Sequence, residues 1–267
     1  MHALLNHPAV QAGLIPFIAA LASAELFQRL RLSGLAIIAG FAATAYFAAD
    51  FDLEPLTDAR KIIWLGIAAS ALAIPLTLLT WPRWRPVLSA LSALALIWAG
   101  WPILQQKAIA DALLWGAGCT FYVGWLVFWF DGLRDRAVAA GNAGFALGIG
   151  TGMAALLSAS ALLGKFGLAL GAASAAYLLI QLITNSRLPC GRSFTLPLSL
   201  IAGLTGAFAV LGSQQPWYSL PLLGLIPLAA HVSIPERWSV RLQSLTLASL
   251  TFACAAGAVY LTWHPPF

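Results

Sequence analysis

The sequence predicts an all-α, polytopic integral membrane protein with about ten transmembrane helices, and three observations carry that prediction. Apolar residues make up 61% of the 267 residues and charged residues only 9%, whereas about a quarter of the residues in soluble domains are charged. Polar breaks divide the chain into about ten apolar runs. The positive charges alternate between these breaks, and this alternation predicts a membrane topology.

Arginines concentrate in every second break. The breaks after odd-numbered runs hold Arg29, Arg31, Arg83, Arg85, Arg134, Arg136, Arg187, Arg192, Arg237 and Arg241, and the others hold only Arg60, Lys61, Lys107 and Lys165. This is the positive-inside bias of a multi-pass membrane protein. It places the odd breaks in the cytoplasm and both termini in the periplasm of a bacterium, with the protein in the inner membrane.

The breaks define ten predicted spans in order. They are 8–28, 32–50, 62–80, 86–104, 110–130, 137–163, 166–184, 195–212, 216–233 and 243–263. Most are 18–21 residues long, which suits a hydrocarbon core about 30 Å thick. The sixth is longer and is expected to tilt or to extend past the bilayer. Because backbone polar groups in lipid need internal partners, the spans are predicted to be helices. With short connections throughout, the chain 1–267 is predicted to form a single transmembrane domain.

Tryptophan positions agree with these boundaries. Trp64, Trp98, Trp101, Trp217 and Trp263 fall at predicted outer ends, and Trp81, Trp84, Trp129 and Trp238 at inner ends. Aromatic belts are expected at both membrane surfaces.

An internal repeat is a further prediction. Ile38-Ala39-Gly40 matches Ile201-Ala202-Gly203, and Trp64 followed by Pro75 matches Trp217 followed by Pro227. The predicted halves are 8–104 and 166–263, in a parallel 4+2+4 arrangement about an axis along the membrane normal. Chance similarity in an Ala/Leu-rich chain is the alternative.

Prolines within spans suggest a solute site. Pro75 is expected to break the third span, and Pro221 and Pro227 the ninth. Each proline frees a carbonyl inside the helix, and interrupted helices in matching halves point to a transporter site. His231, four residues after Pro227, is expected to face the same cavity. A structural kink and a histidine bonded to a backbone carbonyl are the alternative interpretations.

Two amides complete the candidate substrate-binding residues. Asn142 and Gln181 fall near the inner ends of the sixth and seventh spans. They are expected to bond to each other or to neighbouring helices.

Two helix faces suggest packing surfaces. Gly144, Gly148 and Gly152 share one face within 141–152, and glycines at this spacing let helix backbones approach closely. The segment 115–130 carries an aromatic face that includes Tyr122, Trp125 and Trp129. This face is expected to meet lipid or a partner, or to form a platform for a quinone, sterol or pigment. Either face could receive a membrane-protein partner.

Two functions of different classes follow. The first is a carrier for a small solute, lined by Pro75, Pro227 and His231. The second is a non-catalytic membrane subunit or scaffold of a larger complex. The positive charges occur in pairs between spans, which argues against nucleic acid as a partner and for contact with the lipid bilayer. No enzyme motif, metal-ligand spacing or cofactor site is recognisable, so neither catalysis nor a cofactor is predicted.

Overall fold

The described part of the chain contains ten α-helices and two short helical turns. The computed structural model describes residues 7–28, 33–49, 57–78, 84–158, 160–185, 190–212, 215–235 and 237–264. The helices are α1 Ile15–Gln28, α2 Ala36–Ala49, α3 Asp58–Leu78, α4 Trp84–Leu104, α5 Ile109–Asp131, α6 Ala137–Leu157, α7 Ala161–Thr184, α8 Gly191–Gly212, α9 Ser219–Ala230 and α10 Val240–Trp263. A π-helical turn, Val10–Leu14, precedes α1, and a 3-10 turn, Ser33–Leu35, precedes α2.

The predicted all-α fold is confirmed, since the described residues contain no strand. Seven helices are long and apolar enough to cross a membrane, namely α3 to α8 and α10. The apolar helices in α1, α2 and α9 are shorter, so the count of ten spans stays a prediction. The repeat also remains a prediction. Arg29, Arg31, Arg83, Arg187 and Trp81 lie outside the described residues.

The structure corrects the long sixth span. α6 ends at Leu157 rather than at position 163, and α7 already begins at Ala161. The hydroxyl of Ser158 donates to the carbonyl of Ala154 (2.7 Å), and the backbone N–H of Ser160 donates to the carbonyl of Ala155. These bonds satisfy carbonyls at the helix end, where the continuing helix no longer supplies partners. An apolar run that spans a short turn therefore conceals a helix boundary.

Contrary to the prediction, Pro75 and Pro227 do not interrupt their helices. Pro75 lies inside α3 and Pro227 inside α9, and each helix continues past its proline. A proline removes one backbone hydrogen bond, but a membrane helix tolerates this loss where neighbouring groups satisfy the freed carbonyl. Pro102 and Pro197 are likewise enclosed within α4 and α8.

The central helix is α8. Its whole apolar window is buried inside the bundle, as expected for a helix that is apolar on all sides. α3, α5, α6, α7 and α2 pack around it, α4 lies beside α5, and α9 and α10 close the bundle against α6. α1 packs outside α2 and α7.

The glycine face of α6 packs against α7 within the same chain. A Cβ on Gly148 would overlap the backbone of Gly171, and one on Gly152 would lie 2.6 Å from the N atom of Leu168. Gly167 is equally close to the backbone of Gly152. The predicted close approach of helices is confirmed. The face 141–152 is consequently taken up inside the bundle, and this corrects the expectation that it could receive a partner.

Contacts between helix ends follow the predicted alternation of sides. The Lys61 ammonium at the start of α3 donates to the Ala99 carbonyl near the end of α4 (3.0 Å), and Lys165 donates to Gln11 before α1 (2.9 Å). At the other end, Arg192 at the start of α8 bonds to Asp131 at the end of α5. Residues predicted to share a membrane surface therefore meet in the fold.

Candidate functional site

A groove between α5 and α9 has a volume of about 640 Å³. Its walls are almost entirely apolar and rich in aromatic rings. They comprise Leu114, Trp115, Gly118, Cys119, Phe121, Tyr122 and Trp125 of α5, Val210 of α8, and Trp217, Leu220, Pro221, Gly224 and Leu225 in and before α9. We refer to this cleft as the aromatic groove. Residues 114–125 extend about 16 Å along the α5 axis at 1.5 Å per residue.

Two side chains of α5 define the base of the groove. The indole N–H of Trp125 donates to the Gly224 carbonyl in α9 (3.0 Å). Tyr122 is buried and reaches α8, where its hydroxyl lies 3.3 Å from the position of a Cβ on Gly206. This hydroxyl has no hydrogen-bond partner among the described residues. The aromatic face was predictable from the sequence, whereas the unpaired phenol inside it was not.

The face of α5 that points away from the bundle combines exposed large residues with an exposed glycine. Leu113, Leu114 and Phe121 project from the bundle. A Cβ placed on Gly118, between them, would have no described heavy atom within 4 Å. On the other side of α5, a second apolar cleft of about 480 Å³ runs along α4 and includes Trp101, Gly116 and Ala117. Packing within the chain therefore does not explain the glycine at position 118.

A charged cluster lies at the ends of α3, α5 and α8 that are predicted to face the cytoplasm, which we call the inner ends. Arg192 Nε donates to Asp131 Oδ1 (2.9 Å), and Arg192 Nη1 donates to the Leu76 carbonyl (3.0 Å). Arg134 adds a longer contact to the same carboxylate at 3.5 Å. These bonds join α3, α5 and α8 at one point, and because Asp131 and Arg192 are both buried, they fix the helix ends firmly.

A second group at this end is centred on His231. Its Nδ1 lies 2.8 Å from the Pro227 carbonyl, and since a carbonyl can only accept, Nδ1 carries the proton. Its ring packs edge-on against Trp129 at 5.2 Å. Burial, opposed by the bond to Pro227, lowers the pKa of His231, and the charges of Arg136 and Arg85 lower it further.

Arg85 reaches the same place from α4. Its Nε donates to the Phe128 carbonyl (2.6 Å), and its guanidinium carbon lies 4.0 Å from the centre of the Phe128 ring. Arg85 Nη2 and His231 Nε2 each lie 2.8 Å from the position of a Cβ on Gly132. The missing side chain at position 132 leaves the room in which the two nitrogens face each other.

The predicted solute site is only partly assembled. Pro227 and His231 are joined by the hydrogen bond just described, but Pro75 is exposed on α3, which packs mainly against α8. Neither Pro75, Pro227 nor His231 lines the aromatic groove or the cleft beside α4. The role of these residues in binding a solute stays a prediction.

The two predicted amides are buried but not bonded to each other in the described part of the chain. Asn142 Nδ2 donates to the Val138 carbonyl (2.8 Å) and to the Ser244 hydroxyl of α10 (3.1 Å). Gln181 is fully buried, and neither its Nε2 nor its Oε1 has a hydrogen-bond partner among the described residues. Asn142 therefore joins α6 to α10, which is one of the expected arrangements.

Cysteine and metal-ligand chemistry have little support at this end. Cys190 lies before α8 and donates its thiol to the Arg134 carbonyl (2.8 Å). Burial raises the pKa of this thiol to about 12, so it stays protonated and unreactive at neutral pH. Across the described ranges, no three His, Cys, Asp or Glu side chains are grouped as a metal site.

Comparison with protein-family models, curated proteins and solved structures found no match to this chain. The helices do make it a multi-pass membrane protein in contact with lipid. Any narrower function is therefore inferred from the geometry of the groove and of the inner cluster.

Proposed function

We propose that the protein is a non-catalytic subunit of a membrane complex, and that a transmembrane helix of a partner subunit docks in the aromatic groove. The observation that carries this proposal is Gly118. It lies on the rim of the groove with open space where a side chain would be. Glycine is a weak helix former, so its presence on an exposed helix face favours a backbone approaching from outside.

The groove has the chemistry of a helix-docking surface. In lipid, helices associate through close packing at small residues rather than through a hydrophobic driving force. Gly118 supplies the point of close approach, and Phe121 and Trp125 supply neighbouring rings, tilted by 33° with centroids 5.7 Å apart, that add contact area. A single helix ridge fits a groove formed by two neighbouring helices.

The interior of the bundle supports a structural role over a solute pathway. α6 and α7 touch backbone to backbone, and α8 is buried along its length. The aromatic groove and the cleft beside α4 both have mainly apolar walls. A pathway for a polar solute would instead need convergent polar groups at mid-depth.

A pair of glycine substitutions tests the docking. Gly118→Leu would place a side chain where the partner backbone is expected, whereas Gly13→Leu adds the same side chain at another position with no described atom within 4 Å. Native membranes carrying each variant are solubilised in mild detergent and separated by native electrophoresis. We expect the wild type and Gly13→Leu to migrate as one large complex and Gly118→Leu to migrate as the free chain. A wild-type protein that migrates alone would overturn the proposal.

A carrier for a small solute is the second candidate, and Gln181 favours it. A fully buried amide with no partner among the described residues is costly unless water or a ligand satisfies it. A cysteine at position 181, in a chain whose three native cysteines are replaced by alanine, should react with a water-dependent thiol reagent if a solute pathway reaches it. A cysteine at buried Ala173 serves as the control. An unreactive cysteine at 181 would remove this support.

A further inference from the structure

Four arginines near the ends of α5 and α9 fall into two groups. Arg134 and Arg192 form ion pairs with Asp131, the second of them buried. Arg85 and Arg136, in contrast, form no ion pair within the described ranges. Two positive charges therefore lie at the start of α4 and directly before α6 without a carboxylate in contact.

These two arginines converge on the end of α9. Arg136 Nη1 donates to the His231 carbonyl (3.2 Å). Arg85 Nη2 approaches the imidazole of the same residue across Gly132, so that the nitrogens are separated by at most twice 2.8 Å. Two guanidinium groups and an imidazole thus share one place, and like charges repel there unless an anion lies between them.

Beside His231, two buried hydrogen-bond donors lack acceptors among the described residues. Arg85 Nη2 and Trp129 Nε1 are both buried, and neither has a hydrogen-bond partner among the described residues. The Arg85 guanidinium lies 5.4 Å from the centre of the Trp129 ring. Because buried donors normally have partners, these two donors, one of which belongs to a guanidinium without an ion pair in the described ranges, indicate a missing acceptor that carries negative charge.

We infer that Arg85, Trp129, Arg136 and the Gly132 gap form a binding site for a phosphate group at the inner surface of the membrane. A phosphate offers several oxygens at once, which suits the fork of a guanidinium and a neighbouring indole N–H. The site lies where α4 begins and α5 and α9 end, the depth at which lipid headgroups carry their phosphates. An anionic phospholipid is the nearest source of the group, and free phosphate is the other.

His231 can supply a further hydrogen-bond donor to this phosphate site. His231 Nδ1–H donates a hydrogen bond to the Pro227 carbonyl, so Nε2 is available to accept a second proton. A bound phosphate would stabilise the resulting imidazolium and gain a third donor from it. Without the anion, Arg85 and Arg136 oppose that protonation.

Native mass spectrometry of the full-length, delipidated protein tests the site. The protein in detergent is titrated separately with phosphatidylglycerol, phosphatidylcholine and inorganic phosphate. The variants are Arg85→Gln and Arg136→Gln, and the matched control is Arg241→Gln, an exposed arginine at the inner end of α10. Arg136 is exposed and its described bond is to a backbone carbonyl, so its variant keeps the test decisive if Arg85→Gln fails to fold.

We expect one phosphatidylglycerol to bind the wild type and Arg241→Gln alike, and each of the other variants to bind it about fivefold more weakly, the effect of one basic residue near the membrane surface. Phosphatidylcholine should bind more weakly than phosphatidylglycerol, because it carries a compensating positive charge. Binding of inorganic phosphate with the same dependence on Arg85 and Arg136 would support the site and assign it to the free ion. Equal binding of phosphatidylglycerol by all three variants and the wild type, or equal weakening by Arg241→Gln, would overturn the inference. Neither result bears on Gly118, so the docking proposal is tested separately.

Discussion

Arg192 Nε lies 2.9 Å from Asp131 Oδ1, and this buried ion pair joins the start of the central helix α8 to the end of α5. Side-chain exposure is only 6% for Arg192 and 5% for Asp131. Because Arg192 also bonds to the Leu76 carbonyl of α3, the pair holds the inner ends of three helices together. The aromatic groove on α5 therefore depends on a helix whose inner end is fixed.

Breaking this pair should destabilise the protein strongly. Arg192→Met leaves Asp131 buried with only the longer contact to Arg134, and removing one partner of a buried pair costs about 3–5 kcal/mol. We expect a large fall in Tm for thermal unfolding in detergent. Asp135→Asn is the control, because Asp135 is 84% exposed and pairs at the surface, where a pair contributes about 0–1 kcal/mol. Equal Tm values for both variants would contradict the assignment of a structural role to Asp131 and Arg192.

Alanine at two glycines should have opposite effects. Gly148→Ala places a Cβ on the backbone of Gly171, and overpacking of this kind costs about 1–3 kcal/mol. Gly118→Ala meets no described atom within 4 Å, and alanine favours the helix by about 1 kcal/mol over glycine. Tm in detergent should fall for the first variant and stay or rise for the second. A Gly148→Ala protein as stable as the wild type would mean that α6 and α7 can separate at little cost.

Stability should depend on the protonation of His231. Burial places its pKa in the folded protein below the ordinary value of 6.5, so the unfolded chain binds the proton more readily. The stabilising contribution is therefore complete above pH 6.5 and is lost as the pH falls through the folded pKa. In a phosphate-free buffer, the Tm of the wild type should fall between about pH 7 and pH 5 more steeply than that of His231→Gln. Parallel curves would show that His231 does not titrate differently on folding.

Gln181 offers a substitution that removes an unsatisfied group. Both polar atoms of its buried amide lack described partners, and replacing such a group with an apolar one of similar shape is nearly neutral or stabilising. Gln181→Met should therefore keep or raise Tm in detergent. A clear fall in Tm would show that the amide has a partner, such as a bound water, that the fold requires.

Much of the fold was predictable because long apolar runs in the sequence identify membrane helices. The predicted span 86–104 corresponds to α4, Trp84–Leu104, and 110–130 to α5, Ile109–Asp131. The boundary at Leu157 was missed because a turn whose serines bond back to the helix leaves no charged break. Pro75 was misjudged as a break because its helix continues past the lost hydrogen bond.

The cluster around Arg85 and His231 could not be predicted from the sequence because it joins segments that are far apart in the chain. Arg85 and His231 belong to α4 and to the end of α9, and only the fold brings them to opposite sides of Gly132. Arg85 was identified as a topology signal, but nothing in its local sequence indicated that its charge would lie without a carboxylate. The open space at Gly118 was also not predicted. The regular glycine spacing within 141–152 indicated a packing face, but that face is buried within the chain.

Site-specific photo-crosslinking in native membranes tests the docking of a partner most directly. A photoreactive phenylalanine analogue replaces Phe121 on the aromatic groove or, as the matched control, Leu245 on α10, since both are 69% exposed. We expect Phe121 to give one discrete protein adduct that disappears when Gly118→Leu is added, and Leu245 to give lipid adducts alone. Lipid adducts alone from both positions would contradict the central claim and leave the groove as an ordinary lipid-facing surface.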